Sequence, residues 1–237
     1  MQNKKLEVCF TPSLLPLYDI ENSIVVVIDI FRATSSICYG IANGASAIIP
    51  VGTVEECASN KDGVCLLAAE RDGKVVEGFD FGNSPFSYTP EKVKGKTIVL
   101  TTTNGTYAIQ ESKAKAYQII VGSFLNLEAV TNYLKSQDKN ILLLCAGWKN
   151  KFNLEDTLFA GAVSHLLSKE GYEQDDSSYA AEDLYLQAKN DLANYTAKAS
   201  HGKRMQKLNL LEDIKFCLQQ NLTDSIPVLV GNKLVKM

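Results

Sequence analysis

Histidine is nearly absent: His165 and His201 are the only two in 237 residues. No Cys-x-x-Cys pair occurs either, so the imidazole and thiolate ligands of a zinc site are missing. Six cysteines (Cys9, Cys38, Cys57, Cys65, Cys145 and Cys217) lie far apart, most in apolar surroundings, as reduced core thiols do. A disulfide framework is not expected in a chain of this size without a secretory signal. Dense runs of Lys or Arg are lacking, and the net charge of −3 with a pI near 5.5 argues against a nucleic-acid surface. No apolar run approaches the roughly 20 residues of a membrane span. The short apolar patch behind Met1-Gln-Asn-Lys-Lys is broken by Pro12 and Pro16, unlike a signal peptide. Repeats, coiled-coil heptads and low-complexity tracts are also missing. The expectation is a cytoplasmic protein with neither nucleic-acid nor membrane partner. Any metal must then be a hard cation held by oxygen, magnesium before others.

What is present is a continuous apolar run at 24–28, Ile-Val-Val-Val-Ile, which reads as a strand buried on both faces. It stops at Asp29, Arg32 and three hydroxyl residues, and a helical pattern closing at Asn43-Gly44 follows. Open α/β sheets bind ligands at such corners, at the carboxyl ends of strands. Further strands are expected at 6–10, 45–51, 64–69, 96–100, 116–121 and 140–144, alternating with helices. That alternation predicts a largely parallel sheet covered on both faces. Residues 174–220 read as helices only, and a last strand at 226–230 carries Pro227, the mark of an edge. Because that strand should rejoin the sheet, the prediction is one domain over 1–237 with a mainly helical insertion at about 174–221. The Gly-, Asn- and Pro-rich stretch 78–85 is a loop whose aromatic content points to function.

Four strand ends share small and hydroxyl residues with charged groups: 29–36, 70–84, 101–106 and 145–156. Gly105 lets the backbone approach a ligand, and N–H groups and the hydroxyls of Thr102, Thr103 and Thr106 can cradle an anion at a helix start. The alternative is an ordinary helix cap around Asn104. Asp29 reads as a metal ligand or nucleophile and Arg32 as a clamp on substrate oxygens, or the two form a local ion pair. Glu70, Arg71, Asp80, Asn83 and Ser84 add oxygen ligands and a guanidinium, or simply form turns. Glu155 and Asp156 favour a helix start in any case. Being about 100° apart on the helix, only one of them should face a shared site. Cys145 has no nearby arginine to activate its thiol, so it reads as wall or backbone donor. His165 reads as structural; His201 could face the cleft, with a surface role preferred.

These segments, in this order, resemble the 2-phosphosulfolactate phosphatase family. The resemblance rests on Asp29-Ile-Phe-Arg32-Ala-Thr34, Glu70-Arg71, Gly78-Phe-Asp80-Phe-Gly82-Asn83-Ser84-Pro85 and Thr101-Thr-Thr-Asn104-Gly105-Thr106. It continues through Gly122-Ser-Phe-Leu-Asn126, Cys145-Ala-Gly147, Leu154-Glu155-Asp156-Thr157, His201-Gly202 and Asp213-Ile214. It implies a three-layer α/β/α fold with a mixed sheet, and a magnesium-dependent acid phosphatase. The implied reaction converts (2R)-2-phospho-3-sulfolactate to (2R)-3-sulfolactate and phosphate, part of coenzyme M biosynthesis in methanogens. Relatives also occur in bacteria without that pathway. Phe31 departs from the usual leucine, and Asn150 and Asn153 from glycine and serine.

The expected catalytic set is Asp29, Arg32, Glu70 and Asn104. Substrate is expected on Arg71, Asn83, Ser84, Thr102, Thr103, Gly105, Thr106 and Gly147. Magnesium is expected on Asp29, Asp80, Glu155 and Asp156. Attack by water is preferred over an aspartyl phosphate, since Asp29-Ile-Phe lacks a second acid in an Asp-x-Asp pattern. The rival readings are a phosphatase or lyase for another small phosphorylated 2-hydroxy acid, and a non-catalytic sensor of small anions. A homo-oligomer is left open.

Overall fold

Valine and isoleucine at successive positions favour extended backbone, and with both faces apolar the run needs cover on each side. The computed structural model describes residues 4–60, 63–71 and 73–237; Asp72, within the turn expected at 70–73, lies outside the described residues. The strands are β1 (Lys5–Cys9), β2 (Ser23–Ile28), β3 (Ala47–Pro50), β4 (Leu66–Arg71), β5 (Lys74–Val75) and β6 (Thr97–Thr101). They continue with β7 (Gln118–Gly122), β8 (Asn140–Cys145), β9 (Glu173–Gln174), β10 (Pro227–Val230) and β11 (Lys233–Lys236). The helices are α1 (Ala33–Ala42), α2 (Val54–Ser59), α3 (Pro90–Val93), α4 (Gly105–Lys113) and α5 (Leu127–Lys135). After them come α6 (Leu154–Leu167), α7 (Asp176–Ala188), α8 (Leu192–Ala197), α9 (Ser200–Lys207) and α10 (Leu211–Cys217).

All strands join one mixed sheet in the order β5-β4-β6-β3-β11-β10-β7-β2-β8-β1-β9. Along β2, Ile24, Val26 and Ile28 face one core, shared with α5, α6 and α7. Val25 and Val27 face the other, shared with α1 and α4. The result is the three-layer α/β/α arrangement. No described helix is long and apolar enough to cross a membrane.

One expectation about the sheet needs correction. The strand carrying Pro227 is central, not an edge. Pro227 is its first residue, where no ladder N–H is needed, and pairing with β7 is made at Val228 opposite Ile120. Beyond it the chain turns at Gly231, φ +63°, and returns as the unforeseen β11. Gly231-Asn232 between two apolar runs is a hairpin signal.

The sheet is largely parallel and mixed, as expected, with its parallel strands in two blocks. β4, β6 and β3 are mutually parallel, as are β7, β2, β8, β1 and β9. The hairpin joins these blocks through three antiparallel contacts, so their nominal senses oppose. Sheet twist over the five steps from β6 to β2 adds up to roughly 100–125°. Their carboxyl ends therefore cross rather than diverge, and both can deliver loops to one place.

The helix pair α6–α7 closes most tightly at Gly161, where any Cβ would run into the Ala181 carbonyl oxygen. Gly161→Ala is expected to lose about 1–3 kcal/mol of stability through overpacking. Gly52→Ala, whose Cβ meets only Glu56 Oε2 at 3.5 Å, should stay within about 0.5 kcal/mol of the parent. Urea midpoints of the two variants check this; equal midpoints would refute the packing argument.

Candidate active site

Asp29 follows β2 directly and is 6% exposed. Its N–H donates to Thr34 Oγ1 at 3.0 Å, and its carbonyl accepts the Thr34 N–H at 2.9 Å, fixing the corner. The Gly105 and Ala33 N–H groups hydrogen-bond its carboxylate, so two helix starts, those of α4 and α1, face it. A Cβ on Gly105 would lie 2.7 Å from Ala33 Cβ and 2.8 Å from Asp29 Oδ2. Glycine is thus required here by a carboxylate of the protein itself.

That closes part of the anion cradle expected at 101–106. The Gly105 N–H serves Asp29, the Thr106 N–H donates to Thr102 Oγ1 at 3.2 Å, and the Thr102 N–H donates to Thr106 Oγ1 at 3.1 Å. Thr106 is wholly buried, whereas Thr102 and Thr103 line the open space above.

The first turn of α6 supplies two more buried acids. Asp156 accepts the Ile30 N–H at 2.8 Å and the Gly147 N–H at 3.1 Å, bracing the loops after β2 and β8. Both its oxygens, and the Gly147 amide expected to meet substrate, are spent on this brace. Gly147 has φ +62°, and a Cβ there would strike the Lys151 carbonyl. Glu155 turns the other way: Oε1 lies 2.5 Å from His201 Nδ1, while Oε2 is buried with no partner among the described residues. His201, expected on the surface, is only 10% exposed. The missed signal is its spacing from Arg204, which puts both on one face of α9.

Asp29, Phe31, Glu70, Asn83, Asn104 and His201 line a pit of about 30 Å³. Through Thr102, Thr103, Trp148 and Arg204 it opens into a basin of about 320 Å³ that adds Gly52, Arg71 and Lys149. Trp148, Lys149 and Arg204 were not foreseen. Arg204 and the Lys149 ammonium stand 5.2 and 4.9 Å from the Trp148 ring centroid. Asn104 accepts the Lys149 N–H at 3.2 Å, and Arg71 Nη1 donates to the Glu70 carbonyl at 2.8 Å. Glu70 Oε1 takes the Gly73 N–H, and the Asn83 carbonyl takes the Ser36 hydroxyl. A hollow of about 520 Å³ at the opposite edge, by Lys4, Asp19 and Lys139, touches none of these groups.

Other expected residues lie outside this cleft. Asp80 is pinned at the start of β4, where Oδ2 accepts the Leu67 N–H at 2.7 Å. Ser84 opens a short 3-10 turn over 85–87 and lines neither space. Arg32 is 4% exposed, lines neither space, and is paired with Asp213, not with Asp29.

Burial drives the Asp29 carboxyl upward; the His201 charge opposes this, and the Glu155 charge adds to it. Burial and the neighbouring Glu155 and Asp29 charges push Asp156 well above the usual range. Burial alone would lower His201, but the hydrogen bond and charge of Glu155, with Asp29 behind, hold it above its ordinary value. Burial and Asp156 push the Cys145 thiol up, which removes it as a nucleophile.

Among the described residues no three His, Cys, Asp or Glu side chains are grouped as a metal cage. The four-acid magnesium set is therefore corrected: Asp80 is remote and Asp156 is committed to backbone amides. A magnesium ion keeping its waters needs only one or two carboxylates. Asp29 and Glu155 fit that need. The partnerless Glu155 Oε2 and the equally partnerless, buried Asn83 Oδ1 are the kind of oxygen a hard cation takes.

An acid–imidazole pit facing a cationic, hydroxyl-lined basin at the strand ends is the equipment of an α/β enzyme that processes small anions. The family described as 2-phosphosulpholactate phosphatase matches residues 9–232. A protein of Thermotoga maritima named "Probable 2-phosphosulfolactate phosphatase" is 43% identical over 218 residues, 92% of this chain and 94% of that one. Proteins of the same name from Caldanaerobacter subterraneus and Synechocystis are 44% and 38% identical, covering 89% and 92% of each chain. The chain belongs to the 2-phosphosulfolactate phosphatase family, and its class is phosphoric monoester hydrolase.

The raised Asp29 carboxyl gives a pH signature in metal-free protein. Folding favours its protonated form, so its stabilisation is full below 3.8 and is lost as pH rises through about 6. With chelator present, Asp29→Asn should be more stable than the parent at pH 8 by on the order of 2 kcal/mol. The gap should close toward pH 4. A gap independent of pH, read from urea midpoints, would contradict the burial argument.

Proposed function

We propose that the protein hydrolyses (2R)-2-phospho-3-sulfolactate to (2R)-3-sulfolactate and phosphate, with magnesium as cofactor. The observation that carries this reading is the pairing of the pit with a basin lined by Arg71, Lys149 and Arg204. A small ester bearing phosphate, carboxylate and sulfonate presents several anionic groups to those cations. The pit is too small for such a molecule and suits an ion or a water at the reacting end. The names of the relatives support the same substrate.

Asp29 accepts a proton from the attacking water and holds it in line. His201, its Nδ1 engaged by Glu155, has Nε2 left to give a proton to the departing alkoxide oxygen. Thr102 and Thr103 hydroxyls and the basin cations hold the non-reacting oxygens. Magnesium held by Asp29 and Glu155 beside Asn83 would neutralise charge on the phosphoryl oxygens. Water adds to phosphorus as the ester oxygen leaves, giving alcohol and phosphate.

Phosphate release from phosphosulfolactate, phospholactate and phosphoglycerate, each with magnesium and with chelator, tests the reading. Phosphosulfolactate should lead by about tenfold or more in kcat/KM, the worth of one charged contact. Chelator and Asp29→Asn should each abolish turnover. Equal rates on phospholactate would remove the sulfonate from recognition, and turnover surviving chelator would remove the metal.

A further inference from the structure

Arg32 is a residue that site chemistry alone would assign to substrate, three positions after Asp29 at a strand end. Its surroundings give it different work. Arg32 Nη1 lies 2.5 Å from Asp213 Oδ1, with 4% and 9% of the two side chains exposed. Asp213 sits on α10, far along the chain in the helical segment. The turn between α9 and α10 is closed by Leu208 N–H to the Arg204 carbonyl at 3.2 Å and Leu210 N–H to the Met205 carbonyl at 3.0 Å. The two helices are therefore coupled as one piece.

That piece packs on elements around the site at several points. Phe216 of α10 packs edge-on against Tyr39 of α1 and tilted against Phe86, with centroids 4.9 and 5.1 Å apart. A Cβ on Gly73, in the turn after β4, would lie 2.6 Å from Leu208 Cδ1. Aromatic and aliphatic contacts of this kind have no fixed register and tolerate sliding. A buried ion pair does not, because its two charges are compensated only at short range and in the right geometry. The pair is thus a directional contact between α10 and the corner that carries Asp29, beside the His201–Glu155 pair that joins α9 to α6.

We infer that the Arg32–Asp213 pair is a positioning device that seats α9 over the pit, so that Arg32 acts through His201 and Arg204 rather than by gripping substrate. Its kinetic consequence rests on the phosphatase reading; its structural consequence does not. Trp148 is the only tryptophan in the chain, and Arg204 of α9 stands against its ring. Tryptophan fluorescence therefore reports the seat of α9 whatever the substrate is.

Removing one charge strands the other in the interior, so single neutral variants risk unfolding. The informative variant is Arg32→Met with Asp213→Leu, which removes both charges and keeps apolar volume. It should keep a cooperative urea transition, show increased acrylamide quenching of Trp148, and lose kcat by about 100-fold while KM changes less than about threefold. Parental quenching and kcat in the folded double variant would overturn the inference and leave the pair structural. A raised KM with parental kcat and quenching would overturn it in favour of a substrate clamp. Were all substrates inert for the parent as well, the phosphatase reading would fail and quenching alone would decide the seating of α9. If the double variant does not fold, Arg32→Lys, which keeps the charge but not the planar fork, carries the same readouts. There kcat should fall about tenfold at unchanged KM, with raised quenching, and the same two contrary results would overturn it.

Discussion

Three carboxylates, Asp29, Glu155 and Asp156, are buried near one another, with an imidazole against Glu155, and the surrounding structure is arranged to make that tolerable. Isolated charges of one sign in an apolar interior are among the most unfavourable things a fold can contain. Each acid here has a different remedy. Asp29 faces the N–H groups of Ala33 and Gly105. Asp156 is held by the amides of Ile30 and Gly147. Among the described residues Glu155 has His201 on one oxygen and no partner on the other. The least satisfied carboxylate is therefore the one behind His201, which lines the pit, and an incoming cation gains most from its free oxygen.

The topology follows from that requirement. Asp29, Gly105 and Gly147 come from strands in two blocks of nominally opposite sense, and sheet twist brings their loops together. His201 then arrives from the helical cap, seated by Arg32 and Asp213, to close the acid cluster from outside. Charge is sorted by depth. Acids and imidazole occupy the narrow pit, and Arg71, Lys149 and Arg204 the wider basin, so a chain with net charge −3 still offers a locally positive mouth. Lys149 lies in the turn after β8, Arg71 ends β4 and Arg204 belongs to α9, whereas Asp29 follows a strand directly and Glu155 and Asp156 sit at a helix start.

Much of this was legible in the sequence. Runs such as 24–28 and 141–145, apolar at every position, specify strands covered on both faces, and the alternation with helices specifies the layers. Asp29, Glu70, Asn83, Thr102, Thr103 and Asn104 were read as site residues from composition at strand ends, and they line one pit. What was hidden depends on contacts distant in sequence or on irregular backbone. His201 looks like a surface residue in a polar helix until Glu155 is set beside it. Asp80 and Asn83 differ only in where the loop lies along β4: the Ala68–Phe81 bridge leaves Asp80 low, at Leu67, and lifts Asn83 to the strand's far end. Arg32 was placed correctly at the corner, but its partner Asp213 belongs to a helix that local pattern cannot orient. The hairpin at Gly231-Asn232 was readable and was missed because Pro227 suggested an edge.

The central claim is that Glu155 and His201 meet in a buried pair and so tie the helical cap to the sheet. The chain has only two histidines, so nitrogen-15 NMR of the imidazoles in metal-free protein can follow each one through a pH titration. The account requires His201 to titrate above its ordinary 6.5, held there by Glu155 and Asp29 against burial. In Glu155→Gln it should fall, because burial then acts with less opposition. A His201 that titrates at or below its ordinary value in the parent, and does not respond to loss of the Glu155 charge, would contradict the account.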